Sequence, residues 1–313
     1  MNKVVISTSS FDIDNNPSIQ HLLKAGWTVM TNPHRRKLTE EEIIALLDKD
    51  TVGLLAGIEP LTERVFAAAN RLKVISRCGT GLDSVDLAAA KQRNIAVSNT
   101  PQAPAQAVAE LTLGLMLATL RQISQTDRML RTGAWPRTQG HLLAAQTVGI
   151  VGLGYIGRRV ARLCQAFEAA VIAHDPYLLP QTPAGVTLMP LEQLLAEADI
   201  ISLHLPYSSA THHLIDDAAF KRMKKGAIVI NAARGGLVDE MALHDALVSG
   251  YLGGAALDVF EQEPYQGPLL QCDNITLTSH IGSLAKESRY RMEVEAADNL
   301  LHDLVNIGLI DGK

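Results

Sequence analysis

From Lys3 to Asn99 short apolar runs alternate with amphipathic ones. "KVVIS", "WTVM", "VGLLAG", "KVISRC" and "IAVSN" read as strands, and "SIQHLLKAG", "TEEEIIALLDK", "TERVFAAAN" and "DLAAAKQRN" between them read as helices. Nearly continuous apolar strands separated by helices predict a parallel sheet covered on both faces. From Pro104 to about Met129 the pattern changes to one long helix, "PAQAVAELTLGLMLATLRQISQTDRM", whose apolar positions nearly encircle it. It carries too many polar residues to span a bilayer, so it is expected to be buried or packed on a second subunit, at a hinge between domains. A second series follows in "TVGIVGLG", "AVIAHD", "DIISLHLP", "GAIVINAA", "GGAALDVF" and "NITLTSH", and "LAKESRYRMEVEAADNLLHDLVNIG" closes it as an amphipathic helix with no strand behind it. That helix is expected to fold back onto the first series. The predicted fold is α/β with two doubly wound parallel-sheet domains. A flavodoxin-like substrate domain spans 1–98, completed by 286–313, and a Rossmann dinucleotide-binding domain spans 99–285.

A chain of 313 residues that is 47% hydrophobic can build a sizeable core in each domain. The net charge of -5, from 28 basic and 33 acidic residues, includes no basic stripe. This argues against nucleic acid or a membrane surface as partner and leaves a small molecule. The start "MNKVVISTSS" has no long apolar targeting region, so a cytoplasmic protein is expected. Cys78, Cys164 and Cys272 are scattered without CxxC spacing, which argues against disulfides or a zinc site. No His/Asp/Glu set has metal-ligand spacing, and no metal is expected. His212, His213 and the run "HRRK" from His34 lack a partner pattern and read as solvated surface.

The chemistry concentrates in the second series. Gly152, Gly154 and Gly157, with Tyr155 and Ile156 between the last two, have GxGxxG spacing after an apolar strand and before an amphipathic helix. Gly152 suits a tight turn, Gly154 the approach of a pyrophosphate, and Gly157 close packing of helix on strand, while the helix N-terminus attracts phosphate charge. Asp175 ends the next strand about twenty residues on, where a carboxylate accepts hydrogen bonds from ribose hydroxyls and repels a 2′-phosphate. The cofactor is therefore expected to be NAD rather than NADP. Arg234, Glu263 and His280 fall at or just beyond the ends of later strands, on the rim where open α/β sheets bind ligands. Reduction of a 2-keto acid by hydride needs a fixed cation for the carboxylate and a proton donor for the developing alkoxide. Arg234 and His280 suit those tasks, and Glu263 suits orienting the imidazole and favouring its charged form.

With these motifs on the page, the chain resembles the D-isomer-specific 2-hydroxyacid dehydrogenases, and most of all the D-3-phosphoglycerate dehydrogenases. "SRCGTGLDSVDLAAA", "NTPQAPAQAVAELTLGLML", "VGIVGLGYIGRRVA", "NAARGGLVDE", "GGAALDVFEQEP" and "SHIGS" follow the family's order over nearly the whole chain. The resemblance implies that Arg234, Glu263 and His280 are catalytic. It also implies that Asp258 binds the nicotinamide amide, that His204, Pro206, Thr211 and Gly282 line the cofactor, and that Ala232 meets it through its backbone. The loop from Arg77 through Cys78 and Gly79 to Gly81 is implied to offer backbone N–H groups to the substrate carboxylate. The implied assembly is a homodimer through the long helix. Two departures bear on the substrate. Glu59, in "AGIEP", stands where phosphoglycerate dehydrogenases commonly carry an Arg-containing motif, which argues against a phosphorylated acid and puts Glu59 at the mouth of the substrate site. The sequence ends after its last helix, so serine feedback through a regulatory C-terminal domain is not expected. Sugar acids and glycerate with hydroxypyruvate stand beside 3-phosphoglycerate as candidates. An alternative on the same fold is an NAD-sensing corepressor like the C-terminal-binding proteins, although no long disordered tail or peptide-docking extension is present. Formate dehydrogenases pair their catalytic His with Gln, and Glu263 argues against that reading.

Overall fold

The computed structural model describes residues 2–177 and 183–311. It divides into two compact units, Met1–Pro104 with Leu284–Lys313, and Ala105–Ser283. The first boundary lies beyond residue 98 because Ala103 joins the core of the first unit, where its carbonyl accepts from Ser288 Oγ at 2.9 Å.

In the first unit β1 (Lys3–Ile6), β2 (Thr28–Thr31), β3 (Thr51–Ala56), β4 (Val74–Arg77) and β5 (Ala96–Asn99) form a parallel sheet in the order β2-β1-β3-β4-β5. Its helices α1 (Pro17–Lys24), α2 (Glu40–Leu46), α3 (Glu63–Ala68) and α4 (Leu87–Gln92) begin where the sequence supplies start signals. Asn16 caps α1 with Pro17 in its first turn, Thr39 and Glu42 form a reciprocal capping box on α2, and Asp86 caps α4. Each side chain satisfies an N–H that the helix itself leaves without a partner. Alternate strand residues face opposite sides of a sheet. Val4, Ile6 and Leu55 accordingly meet Ala296, Leu300 and Leu304 of the last helix, Lys286–Asn306, whereas Val5, Leu54 and Ile75 meet Phe66 and Ile43. Gly53 makes room for that helix, since a Cβ there would stand 3.2 Å from Leu300 Cδ1.

The second unit is a seven-stranded parallel sheet of β6 (Thr147–Val151), β7 (Ala170–His174), β8 (Val186–Leu188), β9 (Ile200–Leu203), β10 (Ile228–Asn231), β11 (Gly254–Leu257) and β12 (Ile275–Leu277). The order is β12-β11-β10-β9-β6-β7-β8, so the chain reverses direction across the sheet between β6 and β9, the crevice where such sheets take ligands. β8 is an addition to the six expected strands. It is three residues long, two of them exposed, and carries no alternation to read.

The long helix of the sequence reading is two helices, α5 (Ala105–Leu120) and α6 (Ile123–Arg131). The break is at Gln122, which adopts a left-handed φ of 53°, and the Leu120 carbonyl accepts instead from His141 N at 3.0 Å. Only α5 is embedded: Ala109 and Met116 are fully buried, whereas no residue of α6 is. The remaining helices are α7 (Tyr155–Ala166), α8 (Leu191–Glu197), α9 (Asp217–Arg222) and α10 (Glu240–Val248). Among the described residues no helix is long and apolar enough to cross a membrane.

Candidate active site

The strands of the second unit run parallel, so their C-terminal ends share one rim. Gly152 follows β6, Asp175 follows β7, His204 follows β9, Ala232 follows β10 and Asp258 follows β11. His280 lies three residues past Leu277, the end of β12. One sheet thus collects onto a single edge residues that lie as far apart in the sequence as Gly152 and His280.

The Gly-rich turn fits a dinucleotide. Gly152 has φ 97°, and a Cβ on it would lie 2.5 Å from the His204 carbonyl oxygen. A Cβ on Gly157 would lie 2.0 Å from the Gly152 oxygen, so only glycine lets α7 seat against the turn. Gly154 has open space above it, and α7 starts there without a side-chain cap, leaving its first N–H groups and the positive end of its dipole for an anion. Tyr155 is half exposed beside this turn, and Ile156 packs against the core. The Asp175 carboxylate accepts from Leu153 N at 2.8 Å and from Tyr177 N at 2.9 Å, so it braces the Gly-rich turn as well as ending β7.

His204 points inward. It is 9% exposed, its Nε2 pairs with Ser202 Oγ at 2.8 Å, and its Nδ1 has no hydrogen-bond partner among the described residues. Burial drives its pKa down to about 3, so the ring is neutral at physiological pH. Pro206 is exposed, and its carbonyl accepts from Thr211 Oγ1 at 3.0 Å while that oxygen also accepts from Ser208 N at 2.8 Å. Thr211 therefore stitches the turn after β9.

The sheet brings Glu263 and His280 together. His280 Nδ1 is 2.9 Å from Glu263 Oε2 and 3.1 Å from Oε1, which leaves Nε2 as the ring atom that can meet a substrate. His280 has φ 57°, and its backbone N–H donates to the Asp258 carbonyl at 2.8 Å. Asp258 is 1% exposed, and its carboxylate gathers the loop around His280. Oδ1 accepts from Thr278 Oγ1 at 2.6 Å and Ile281 N at 2.8 Å, and Oδ2 accepts from Gly282 N at 2.8 Å. Arg234 follows β10 in a turn stitched by the fully buried Asn231, which donates to the Arg234 carbonyl at 2.8 Å and accepts from Ala233 N at 3.0 Å. Arg234 Nη1 donates to the Ala233 carbonyl at 2.7 Å, and Ala232 is buried in the same turn.

Three sequence expectations are corrected. Glu59 is 1% exposed and accepts from Ser7 Oγ and from Gly57 N at 3.1 Å, so its carboxylate is turned into the first unit and is not displayed at a mouth. The N–H groups of Cys78 and Gly79 are bonded to the Ala56 and Arg77 carbonyls at 2.9 and 3.0 Å, so these two donors, expected to face a carboxylate, are already engaged. Gly79 has φ 142°, and Arg77, which donates to the Cys78 carbonyl at 2.6 Å, covers it so closely that a Cβ would overlap Nη1. His212 and His213 are not bare surface: their rings stack at 3.8 Å, and His213 Nε2 lies 2.6 Å from Glu261 Oε1. The reading also missed Asn231 and Thr278. A polar residue ending the apolar run "GAIVIN" was the available signal for the first; the second had none. Burial pushes the thiol pKa values of Cys78 and Cys164 up to about 11 and about 12, so both stay protonated.

The family model for the NAD-binding domain of D-isomer specific 2-hydroxyacid dehydrogenases matches residues 113–282. A hydroxypyruvate reductase of Thermotoga maritima is 38% identical over 273 residues, which is 85% of this chain and 89% of that protein. A D-3-phosphoglycerate dehydrogenase of Mycobacterium leprae is 42% identical over 273 residues, 86% of this chain but 51% of the relative, so the chain spans about half of that protein. A glyoxylate reductase of Paecilomyes thermophila superposes with a TM-score of 0.88 at 30% identity, covering 98% of this chain and 96% of that one.

Proposed function

The chain belongs to the D-isomer specific 2-hydroxyacid dehydrogenase family, and on that premise we propose that it is an NAD-dependent oxidoreductase moving a hydride between the nicotinamide and a D-2-hydroxy acid/2-keto acid pair. The observation that carries this reading is the His280–Glu263 pair at 2.9 Å on the same rim as the uncapped start of α7. The Gly152–Gly157 turn and α7 hold the dinucleotide, Asp175 faces its ribose, and His204, Pro206, Thr211, Ala232, Asp258 and Gly282 border it. NAD supplies the hydride acceptor or donor. Arg234 binds the substrate carboxylate with its planar fork and polarises the neighbouring carbonyl. In the reducing direction His280 Nε2 gives its proton to the carbonyl oxygen, and the Glu263 carboxylate at Nδ1 fixes the ring and stabilises the charge it carries beforehand.

A short, unphosphorylated keto acid is the favoured substrate, with hydroxypyruvate and glyoxylate ahead of phosphohydroxypyruvate. The names of the two reductases support this. A cytoplasmic homodimer is the favoured state, the dimer supported by Ile123 and Leu130 of α6, which stand 55% and 49% exposed. Steady-state oxidation of NADH with a panel of these keto acids and pyruvate tests the activity. Turnover of at least one, lost in His280→Ala and Arg234→Ala variants that stay folded, is expected; wild-type turnover by either variant would overturn the assignment.

A further inference from the structure

Between β11 and Glu263 the chain passes through one peptide, Phe260–Glu261, that is gripped from several directions. Its N–H donates to Glu240 Oε1 at 2.8 Å. Gly235 is pressed against it, since a Cβ there would stand 1.9 Å from Phe260 C, 2.1 Å from its oxygen and 2.3 Å from Glu261 N. The Glu261 carboxylate meets His213 Nε2 at 2.6 Å, and the other nitrogen of that ring lies 3.8 Å from Asp239 Oδ2. His213 is itself held, its N–H donating to the Gly236 carbonyl at 2.8 Å. The Phe260 ring stacks on Tyr265 with centroids 4.5 Å apart.

This peptide joins two parts of the site. Gly235 is the neighbour of Arg234, and Glu261 lies two residues before Glu263. Phe260 N also donates to Glu263 Oε1 at 3.2 Å, the same carboxylate that holds His280. The contact between Gly235 and the Phe260–Glu261 peptide therefore sets how far the backbone of Arg234 stands from the turn bearing Glu263. Glu240 is well placed to hold that contact closed. It is the first residue of α10, whose start Asp239 caps by accepting from Met241 N and Ala242 N, both at 3.0 Å, so its backbone is fixed by a helix.

We propose that Glu240 is a positioning residue for the reaction: by accepting from Glu261 N it holds the Phe260–Glu261 peptide against Gly235, which sets Glu263, and through it His280, in register with Arg234. The His213–Glu261 pair braces the same peptide from its side chain. This inference rests on the roles given above to Arg234, Glu263 and His280. Partial burial raises the Glu240 carboxyl pKa, with Glu261 and Asp239 adding to the rise and the Glu261 N–H and His213 opposing it. A carboxyl oxygen accepts in either protonation state, so Glu240→Gln keeps an oxygen that can make the same bond.

The test compares Glu240→Ala, Glu240→Gln and Glu263→Gln with wild type, using NADH and whichever of hydroxypyruvate, glyoxylate and pyruvate is reduced best. Rates are expressed per NADH-binding site, which removes any loss of folded protein. Glu240→Ala is expected to lower kcat about 10- to 100-fold through misplacement of the acid–base pair. The NADH Kd should stay within about twofold of wild type, and Glu240→Gln should recover most of the rate. Wild-type kcat in Glu240→Ala, with Glu263→Gln impaired, overturns the inference and leaves the active-site reading standing. Wild-type kcat in Glu263→Gln overturns that reading and this inference with it. Should Glu240→Ala fail to fold, His213→Phe, which keeps a ring but loses the Glu261 partner, is expected to lower kcat at least about threefold; an unchanged kcat there overturns the proposal equally.

Discussion

Replacing Asp258 by Asn changes one atom and separates two roles for this residue. The carboxylate accepts three hydrogen bonds from the loop that carries His280, two at Oδ1 and one at Oδ2. In the better orientation Asn keeps its oxygen on Thr278 and Ile281 and turns its NH2 toward Gly282 N, donor against donor across a contact that was 2.8 Å. A hydrogen bond to a buried charged acceptor contributes about 1.5–3 kcal/mol, and the two retained bonds weaken because their acceptor is now neutral. Relief from burying a charge offsets part of the loss, so the second unit is expected to lose about 2 kcal/mol, or roughly 4–8 °C in Tm for a unit of this size. Because His280 N bonds to the Asp258 carbonyl, the shift reaches the imidazole. Differential scanning calorimetry gives the stability, and steady-state kinetics gives kcat and the NADH Kd. A variant with unchanged Tm and kcat but weakened NADH binding would refute the loop-holding role and leave Asp258 purely a cofactor contact. Thr278→Val is the control, since it removes one donor to the carboxylate and keeps the charge, and it should cost about 1.5–3 kcal/mol.

Asp175 should make NADH the better cofactor: a 2′-phosphate about 4 Å from its charge costs roughly 1–4 kcal/mol, or about 5- to 1000-fold in kcat/KM. Asp175→Ala should narrow that ratio because the charge that repels a 2′-phosphate is gone, while the loss of the acceptor on Leu153 N weakens binding of both cofactors, and equal wild-type values for NADH and NADPH would refute the assignment. At the surface of the first unit, the Arg36 side chain and the Thr39 N–H hold the Glu42 carboxyl pKa down from 4.5 to about 2. A depressed acid stabilises the fold above its unfolded pKa and loses that contribution as the pH falls through the folded value. The stability difference between wild type and Glu42→Gln should therefore be full at pH 6 and vanish between 4.5 and 2; a difference independent of pH would show that the ion pair contributes nothing.

Both sheets were legible because parallel strands buried on two faces are written as continuous apolar runs, as in "VGLLAG" and "GAIVINAA". Arg234, Glu263 and His280 could be picked out because strand ends in a parallel sheet converge on one rim, so position in the pattern becomes position in space. Direction of a side chain was not legible. Glu59 turns inward to Ser7 and Gly57, and no local spacing records a partner fifty-two positions away. The break after Leu120 escaped for a related reason: its capping N–H comes from His141, beyond the end of α6. His213 reads as solvated surface and Glu240 carries no signal in the sequence because the partner of each is residue 261, beyond the end of β11: the Glu261 carboxylate for His213 and the Glu261 N–H for Glu240.

The last helix, which fills one face of the first sheet, has a consequence for the order of events during synthesis. Met292, Ala296, Ala297, Leu300 and Leu304 supply much of the core that Val4, Ile6, Leu55 and Val74 require. These residues leave the ribosome only after Ala105–Ser283, a unit whose strands and helices are contiguous in the chain, has been completed. The unit begun first is thus finished last, and until then one apolar face of its sheet stands open to chaperones or to neighbouring nascent chains. A chain cut short before Lys286 should carry a folded second unit joined to an adhesive, unfinished first one.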